Sequence, residues 1–344
     1  MSRVVHRKSN PMRSDGPVGC AARACVWAAI ALAAAPDLAL AAPPVPAESA
    51  KSAQRDFATP ESAVDALVTA VRAGHLKDLS RILGPAGRKL IHSGDPVADR
   101  EGRERFIGAY DKAHRIEVDS TGNATLILGA EEWPLPIPIA RQADRWHFDT
   151  EASAQKIIDR RVGRNELNVI EVCREFVSAQ REYASRDRQG AGTRQYAARF
   201  ESSAGRRDGL YWEAAPGEEP SPLGPLFARA RAEGYPGKLD KDRASDPPAP
   251  RPAAALTPYH GYYYRILTRQ GAHAPGGAKD YLAGGQLTGG FALLAFPARW
   301  GDSGIMTFIV NQDGIVFEKN LGADTAKLAA GIEEYDPDPT WSAP

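Results

Sequence analysis

Leu167, Ile170, Cys173, Val177 and Ala184 recur at helical spacing in a segment that ends near Arg186, and strand-patterned segments lie on both sides of it. A helix with one apolar stripe has to bury that stripe against another element. With strands before and after it, that element is sheet, so the chain is restricted to an α+β class of helices packed on antiparallel sheet. The helix is expected from about Glu151, or anew from Arg164, and it links two halves. A length of 344 residues also favours two domains.

Lys+Arg and Asp+Glu each number 43, with 43% hydrophobic and 25% charged residues, the composition of a folded chain. Balanced charge removes the electrostatic footprint of a nucleic-acid binder. The mature chain has no run near the roughly 18 apolar residues of a membrane span. The 32 Gly and 27 Pro predict many turns and long loops.

The N-terminus reads as a secretory signal peptide over residues 1–41. Arg3, Arg7, Lys8, Arg13 and Arg23 precede the apolar run Ala24–Ala35, and Ala39-Leu40-Ala41 offers a cleavage site before Ala42-Pro43-Pro44. Cleavage near Ala41 implies a periplasmic or secreted protein; whether translation starts at Met1 or Met12 is open. Cys20 and Cys25 lie inside the signal, so Cys173 is alone in the mature chain and no intramolecular disulfide forms. Cys20 precedes the apolar run instead of ending it, which fits lipoprotein modification poorly. Residues 42–56, rich in Ala, Pro, Ser and Lys, read as a flexible leader.

Residues 57–150 form the expected first domain. Thr59-Pro60-Glu61 gives an N-cap, a proline at the first helical position and a first-turn acid, and Val64, Leu67, Val68 and Val71 follow at helical spacing up to Gly74. A short helix through Leu76, Leu79, Ile82 and Leu83 and a third from about Asp99 come next. Strands are expected at Thr125–Leu128, at Leu135–Ile139 and around Trp146-His147-Phe148. Helices followed by a curved sheet, ending in Arg145-Trp146-His147-Phe148-Asp149, resemble the cone-shaped nuclear-transport-factor-2-like domains. That resemblance implies a pocket between helices and sheet.

Residues 151–344 form the expected second domain. After the long helix come loop signals, a short helix near Leu223–Glu233 and an exposed Pro-rich insert at 236–258. Strands then follow at Tyr262–Thr268, Gly289–Pro297 and Met306–Asn311, the last turning through Asp313-Gly314 into Ile315-Val316-Phe317. The runs Gly163-Arg164-Asn165-Glu166-Leu167, Ala179-Gln180-Arg181-Glu182-Tyr183-Ala184, Arg207-Asp208-Gly209-Leu210-Tyr211-Trp212, Pro258-Tyr259-His260-Gly261-Tyr262-Tyr263 and Thr307-Phe308-Ile309-Val310-Asn311 resemble a bacterial exported family known only as domain of unknown function 2950. The resemblance implies export and a two-part architecture and brings no reaction. One helix on a small antiparallel sheet is also similar to the globular part of pseudopilins and pilins. The long apolar helix half that polymerises those subunits is missing, which argues against a filament subunit.

Gly301-Asp302-Ser303-Gly304 matches the core of a trypsin-type nucleophile motif, but Ile305 stands where a second glycine belongs and no histidine segment precedes it, so a turn explains it. Cys173 lies on the helix stripe and reads as core. The histidines show no metal spacing, and no metal or cofactor is expected. Asp187-x-Gln189-Gly190-x-Gly192 lacks the second carboxylate and the late glutamate of a calcium loop. The glycine doublets Gly276-Gly277, Gly284-Gly285 and Gly289-Gly290 lack a phosphate-loop ending and read as turns.

Two candidate sites remain. In the first domain, Asp99, Tyr110 and Asp149 could line the pocket, with Asp95, Glu101, Glu131, Glu132 and His147 nearby in sequence. In the second, Tyr259, His260, Tyr262 and Tyr264 form the densest aromatic stretch, with Tyr262 and Tyr264 on one face of a strand. The expectation is a non-enzymatic binding or scaffolding protein of the bacterial envelope, with an envelope protein or glycan as partner. The alternatives are a periplasmic hydrolase or isomerase using the first-domain carboxylates, and an accessory of a secretion or pilus system.

Overall fold

The computed structural model describes residues 54–236 and 257–344. The expected signal peptide 1–41, residues 42–53 of the expected leader and 237–256 of the expected Pro-rich insert lie outside the described residues. Residues 54–56, expected at the end of the leader, are tied to the first core instead. The Gln54 side chain donates to Ile82 O (3.0 Å) and Phe148 O (2.7 Å), and Phe57 N donates to Trp146 O (2.8 Å).

Helix α1 (Pro60–Arg72) begins where Thr59 and Pro60 require, with Ser62 N donating to the Thr59 hydroxyl at 3.1 Å. Helix α2 (Leu76–Ile91) runs past Leu83, where the short helix was expected to end, because the chain bends at Gly84-Pro85 and resumes. Helix α3 (Pro96–Lys112) is capped by Asp95. Strands β1 (His114–Val118), β2 (Ala124–Leu128), β3 (Trp133–Pro134), β4 (Ile139–Gln142) and β5 (Arg145–Phe148) follow, in the antiparallel order β1-β2-β4-β5 with β3 also on β2. The expected strand Leu135–Ile139 is reduced to its last residue. Pro134, Pro136 and Pro138 supply no N–H to a ladder. Leu67, Ile82, Leu126, Leu128, Ile139 and Phe148 close the core between helices and sheet.

Helix α4 (Glu151–Ala184) is continuous over 34 residues. It packs on α2 and, further along, on the second sheet. Its buried stripe is Val169, Val172, Cys173, Phe176, Val177, Gln180 and Tyr183, and Leu167 is 67% exposed. The expected stripe through Leu167 is therefore corrected in phase. Polar Gln180 belongs to the core because its amide both donates to Ala197 O (2.8 Å) and accepts from Ala197 N (2.9 Å).

The rest of the chain adds α5 (Gly224–Ala232), β6 (Tyr262–Leu267), β7 (Arg269–Gln270) paired with β8 (Lys279–Asp280), β9 (Leu282–Ala283) paired with β10 (Gln286–Leu287), β11 (Ala292–Pro297), β12 (Met306–Asn311), β13 (Val316–Asn320) and α6 (Thr325–Gly331). The main sheet has the order β13-β12-β11-β6 and is antiparallel throughout. Asp313-Gly314 turns β12 into β13 as expected, with Asp313 N donating to Asn311 Oδ1 at 3.1 Å. Every residue of β11 is buried, and α4 and α6 both pack on it. Among the described residues no helix is long and apolar enough to cross a membrane.

The Gly301–Gly304 turn is held from α4. Asn165 Nδ2 donates to Ser303 O (2.9 Å), and Glu166 Oε1 accepts from Ile305 N (2.8 Å) and Met306 N (2.9 Å). Ser303 is wholly buried, and its hydroxyl accepts from Arg299 N (3.0 Å) and donates to Arg299 O (3.1 Å). It closes a turn and has no access to a substrate. The hydroxyl end of the Tyr262 ring packs against Gly304, where any Cβ would overlap it, and that hydroxyl donates to Met306 O at 3.0 Å. Gly304→Ala must displace a fully buried tyrosine, so urea unfolding is expected to show a loss of about 2–3 kcal/mol. A wild-type midpoint in that variant would mean that the contact is slack.

Candidate functional site

Asp95 stands just before α3 with 1% of its surface exposed. A carboxyl group in such a place has to be filled by donors. Oδ1 accepts from Val97 N and Ala98 N, each at 3.1 Å, while Oδ2 accepts from the Tyr235 hydroxyl (2.8 Å) and Gly261 N (2.9 Å). The first pair caps a helix of the first half. The second pair comes from Tyr235, the third residue past α5, and from the turn entering β6, so one side chain joins three segments distant in sequence.

Around that carboxyl group Val97, Val172, Tyr235 and Tyr259 form a small apolar cluster of their own. Tyr235 and Tyr259 meet edge to face with ring centres 4.9 Å apart, which brings together the residues flanking the insert 236–258. The Tyr235 hydroxyl also accepts from His260 N (3.3 Å). Burial, reinforced by Asp95, pushes the Tyr235 phenol far above its ordinary range. Burial and then Glu233 do the same to Tyr259, against the opposing charge of Arg229. Both are hydrogen-bonding groups and not proton carriers at physiological pH. Arg229 is itself held by both oxygens of Glu175, at 2.6 Å each.

His260 sits at the mouth of this cluster with φ +50°, a left-handed backbone unusual for a residue with a Cβ. Its side chain is 23% exposed, and its Nε2 lies 3.5 Å from Glu233 Oε2. That oxygen is buried and has no hydrogen bond among the described residues. Burial lowers the imidazole pKa, and Glu233 only partly opposes this. The arrangement is a part-exposed imidazole beside a buried carboxylate oxygen that accepts no hydrogen bond among the described residues.

The sequence-derived candidates separate on this geometry. Tyr259 and His260 belong to the cluster. Tyr262 and Tyr264 do not form an exposed binding face: Tyr262 is wholly buried, and half-buried Tyr264 packs against two cores with its hydroxyl 3.4 Å from Tyr259 O. Asp99, Tyr110 and Asp149 each have separate partners. Asp99 accepts from Ser93 N (3.0 Å), and its pKa is raised by burial against the pull of that bond and of Arg161. Tyr110 stacks on His114 at 3.7 Å. Asp149 accepts from Ala152 N (3.3 Å) in the first turn of α4.

Asp99 alone adjoins the seam, because Ser93 also receives the Asp95 N–H (3.1 Å). The residues that sequence reasoning misses are Tyr235, Glu233 and Arg229, and it places Asp95 only among the acids near the first-domain pocket. The one local signal was Glu233-Gly234-Tyr235 at the edge of the insert.

Three other features resolve into local structure. The Cys173 thiol is fully buried, which pushes it up to about 12. The Asp187 carboxylate is occupied by the N–H groups of Gln189 (3.2 Å), Ala191 (3.1 Å) and Gly192 (2.7 Å). Among the described residues no three His, Cys, Asp or Glu side chains stand together as metal ligands. A separate groove of about 400 Å³ crosses the outer face of the first sheet, lined by Arg115, Glu117, Thr125, Ile127, Glu132 and Pro134 among others.

Tyr235→Phe removes a donor to a buried carboxyl group and is expected to lower stability by about 1.5–3 kcal/mol, measured by urea unfolding. An unchanged midpoint would place little of the stability in this bond. His260 contributes a defined pH dependence. Its folded pKa lies below the ordinary 6.5, so the unfolded chain binds the extra proton and stability is lost as pH falls through that value. His273 works in the opposite direction: its bond to Asp336 (2.8 Å) raises it, and its contribution is lost as pH rises. The comparison with His260→Asn isolates the first effect. Asparagine tolerates the left-handed backbone, and the variant should show a shallower acid limb between pH 7 and 5; equal limbs would mean that His260 titrates alike in both states.

No curated protein and no solved structure matches this chain. A family model described as protein of unknown function (DUF2950) matches residues 54–343, which take in both halves and the Asp95 seam between them, and the chain belongs to that family.

Proposed function

We propose that the protein is an exported, non-enzymatic binding or scaffolding protein of the bacterial envelope, which meets an envelope protein or glycan through the His260–Glu233 end of the Asp95 seam. The observation that carries this reading is how the polar groups are used. Asp95, Tyr235, Tyr259, Arg229 and Glu175 are engaged with one another or with backbone, while His260 is partly open and Glu233 Oε2 accepts no hydrogen bond among the described residues. A half-open imidazole offers a partner a hydrogen-bonding ring edge, with aromatic surface around it. Export through the signal at residues 1–41, a cone-like domain at 57–150 and a pseudopilin-like domain at 151–344 belong to the same reading.

A periplasmic hydrolase or isomerase is the second reading, and one observation favours it. A non-glycine residue held at positive φ, with a lowered imidazole pKa and a carboxylate at 3.5 Å, has the character of an acid–base site. In that case His260 and Glu233 take the role first assigned to Asp99 and Asp149. Ser303 and Cys173, the two nucleophile candidates of the sequence, are wholly buried and take no part in it.

The two readings separate in a quantitative pull-down from solubilised envelope of the source cell, using wild type, His260→Asn, Glu233→Gln and Leu328→Ser, the last on an exposed residue of α6. Recognition at the seam predicts a partner depleted about tenfold or more by each of the first two variants and retained by the third. A partner set identical in all four proteins overturns it. Turnover in an ester, peptide and glycoside panel, lost in both seam variants, would establish the second reading.

A further inference from the structure

We infer that the outer edge of β1 is an interface for a second copy of this chain, pairing β1 with β1 antiparallel about Ile116 so that the first sheets of two molecules become continuous. β1 pairs only with β2 among the described residues. Asp119 N donates to Asn123 O (2.9 Å) and Gly129 N to Ala113 O (2.8 Å), which sets the phase of the ladder. Antiparallel pairs alternate, so Arg115 and Glu117 direct their backbone groups to β2. His114, Ile116 and Val118 direct theirs away from it. No described residue takes those outward groups. An open edge of this kind is a template for another strand.

The sequence His114-Arg115-Ile116-Glu117-Val118 specifies which strand. In a two-fold pairing centred on Ile116, Ile116 faces its own copy and His114 faces Val118, and these are the positions whose backbone groups point outward. All of those groups are therefore satisfied without a bulge. Arg115 then faces Glu117 of the other copy, in the non-hydrogen-bonded position where cross-strand side chains approach most closely. Within one molecule Arg115 already lies beside Glu117, with Nη2 to Oε1 at 2.7 Å, and reaches Glu132 at 2.7 Å. Pairing extends this into an alternating array in which every charge has an opposite neighbour along its strand and across it.

Charges on an edge strand block pairing when they meet their like. Here the two-fold operation brings opposites together. The same register covers an otherwise unexplained apolar side chain. Val118, 61% exposed, is laid across from His114, whose ring is stacked on Tyr110. The interface is isologous, so it closes at two copies and leaves no growing end.

The test is sedimentation of the purified protein over a concentration series, with far-UV circular dichroism to verify folding. Wild type is expected to dimerise, more weakly as salt is raised. Arg115→Glu alone and Glu117→Arg alone each place like charges opposite one another twice, and each should weaken the dimer about tenfold or more. The decisive measurement is the mixture. Arg115→Glu carries two acids on β1 and Glu117→Arg two bases, so an equimolar mixture should recover the association that both have lost separately. A monomer at all concentrations overturns the proposal. So does a dimer indifferent to either reversal, or a mixture that fails to associate.

Discussion

A buried carboxyl group with donors from three parts of the chain is the constraint on which the two halves of this molecule depend. Asp95 accepts from the first turn of α3, from Tyr235 beyond α5 and from Gly261 ahead of β6. Hydrogen bonds to a group of this kind are stronger than neutral ones, and leaving either side unpaired in the interior costs the full desolvation penalty. Neither half can swing away without exposing a polar group to an apolar cluster. The position of Tyr259 and His260 relative to α3 is therefore set by electrostatics as much as by packing.

Helix α4 supplies the second constraint, and it works through the same turn. Asn165 and Glu166 take hold of residues 303–306 from the helix side, while Tyr262 packs on Gly304 from the strand side. Gly261 lies between them: a Cβ there would come within 2.6 Å of Asn165 Nδ2. The Asp95 seam and the α4 latch thus share Gly261, with Tyr262 of the latch next to it in the chain. Nearby, Asp302 is buried with Lys89 at 3.3 Å and Arg299 at 3.6 Å, a further polar tie between the halves. A backbone fixed from two directions can hold the next residue, His260, in a left-handed conformation that it would not adopt in isolation.

The sequence was most legible where a local rule acts on neighbouring residues. Thr59-Pro60 starts a helix, Asp313-Gly314 turns a hairpin, and the strands at 262, 292 and 306 follow from apolar runs between turn residues. It was least legible where burial came from a distant element. β1 was not anticipated, because an edge strand with four of its five residues exposed carries almost no apolar alternation. Leu167 belongs to the helical spacing but not to the core, and Gln180 belongs to the core but not to the apolar spacing, since an amide bonded to Ala197 is satisfied inside. Tyr262 and Tyr264 were assigned to a binding face by alternation alone, which fixes sidedness and says nothing of what covers each side.

By itself the sequence determined the α+β class, the family, the main helices and strands of each half and the place of Cys173 on the long helix, because these rest on composition, periodicity and short-range turn chemistry. Only the tertiary structure decided the candidate site. Asp95 and its donor Gly261 are 166 positions apart, with Glu233, Tyr235 and His260 between them, and their chemistry exists only once they are gathered. Desolvation and close charges move the Tyr235, Tyr259 and His260 protons away from their ordinary values, and both effects depend on distances in space. No local pattern encodes them, so a histidine that reads in the chain as one member of an aromatic run becomes, in the fold, the open end of a buried seam.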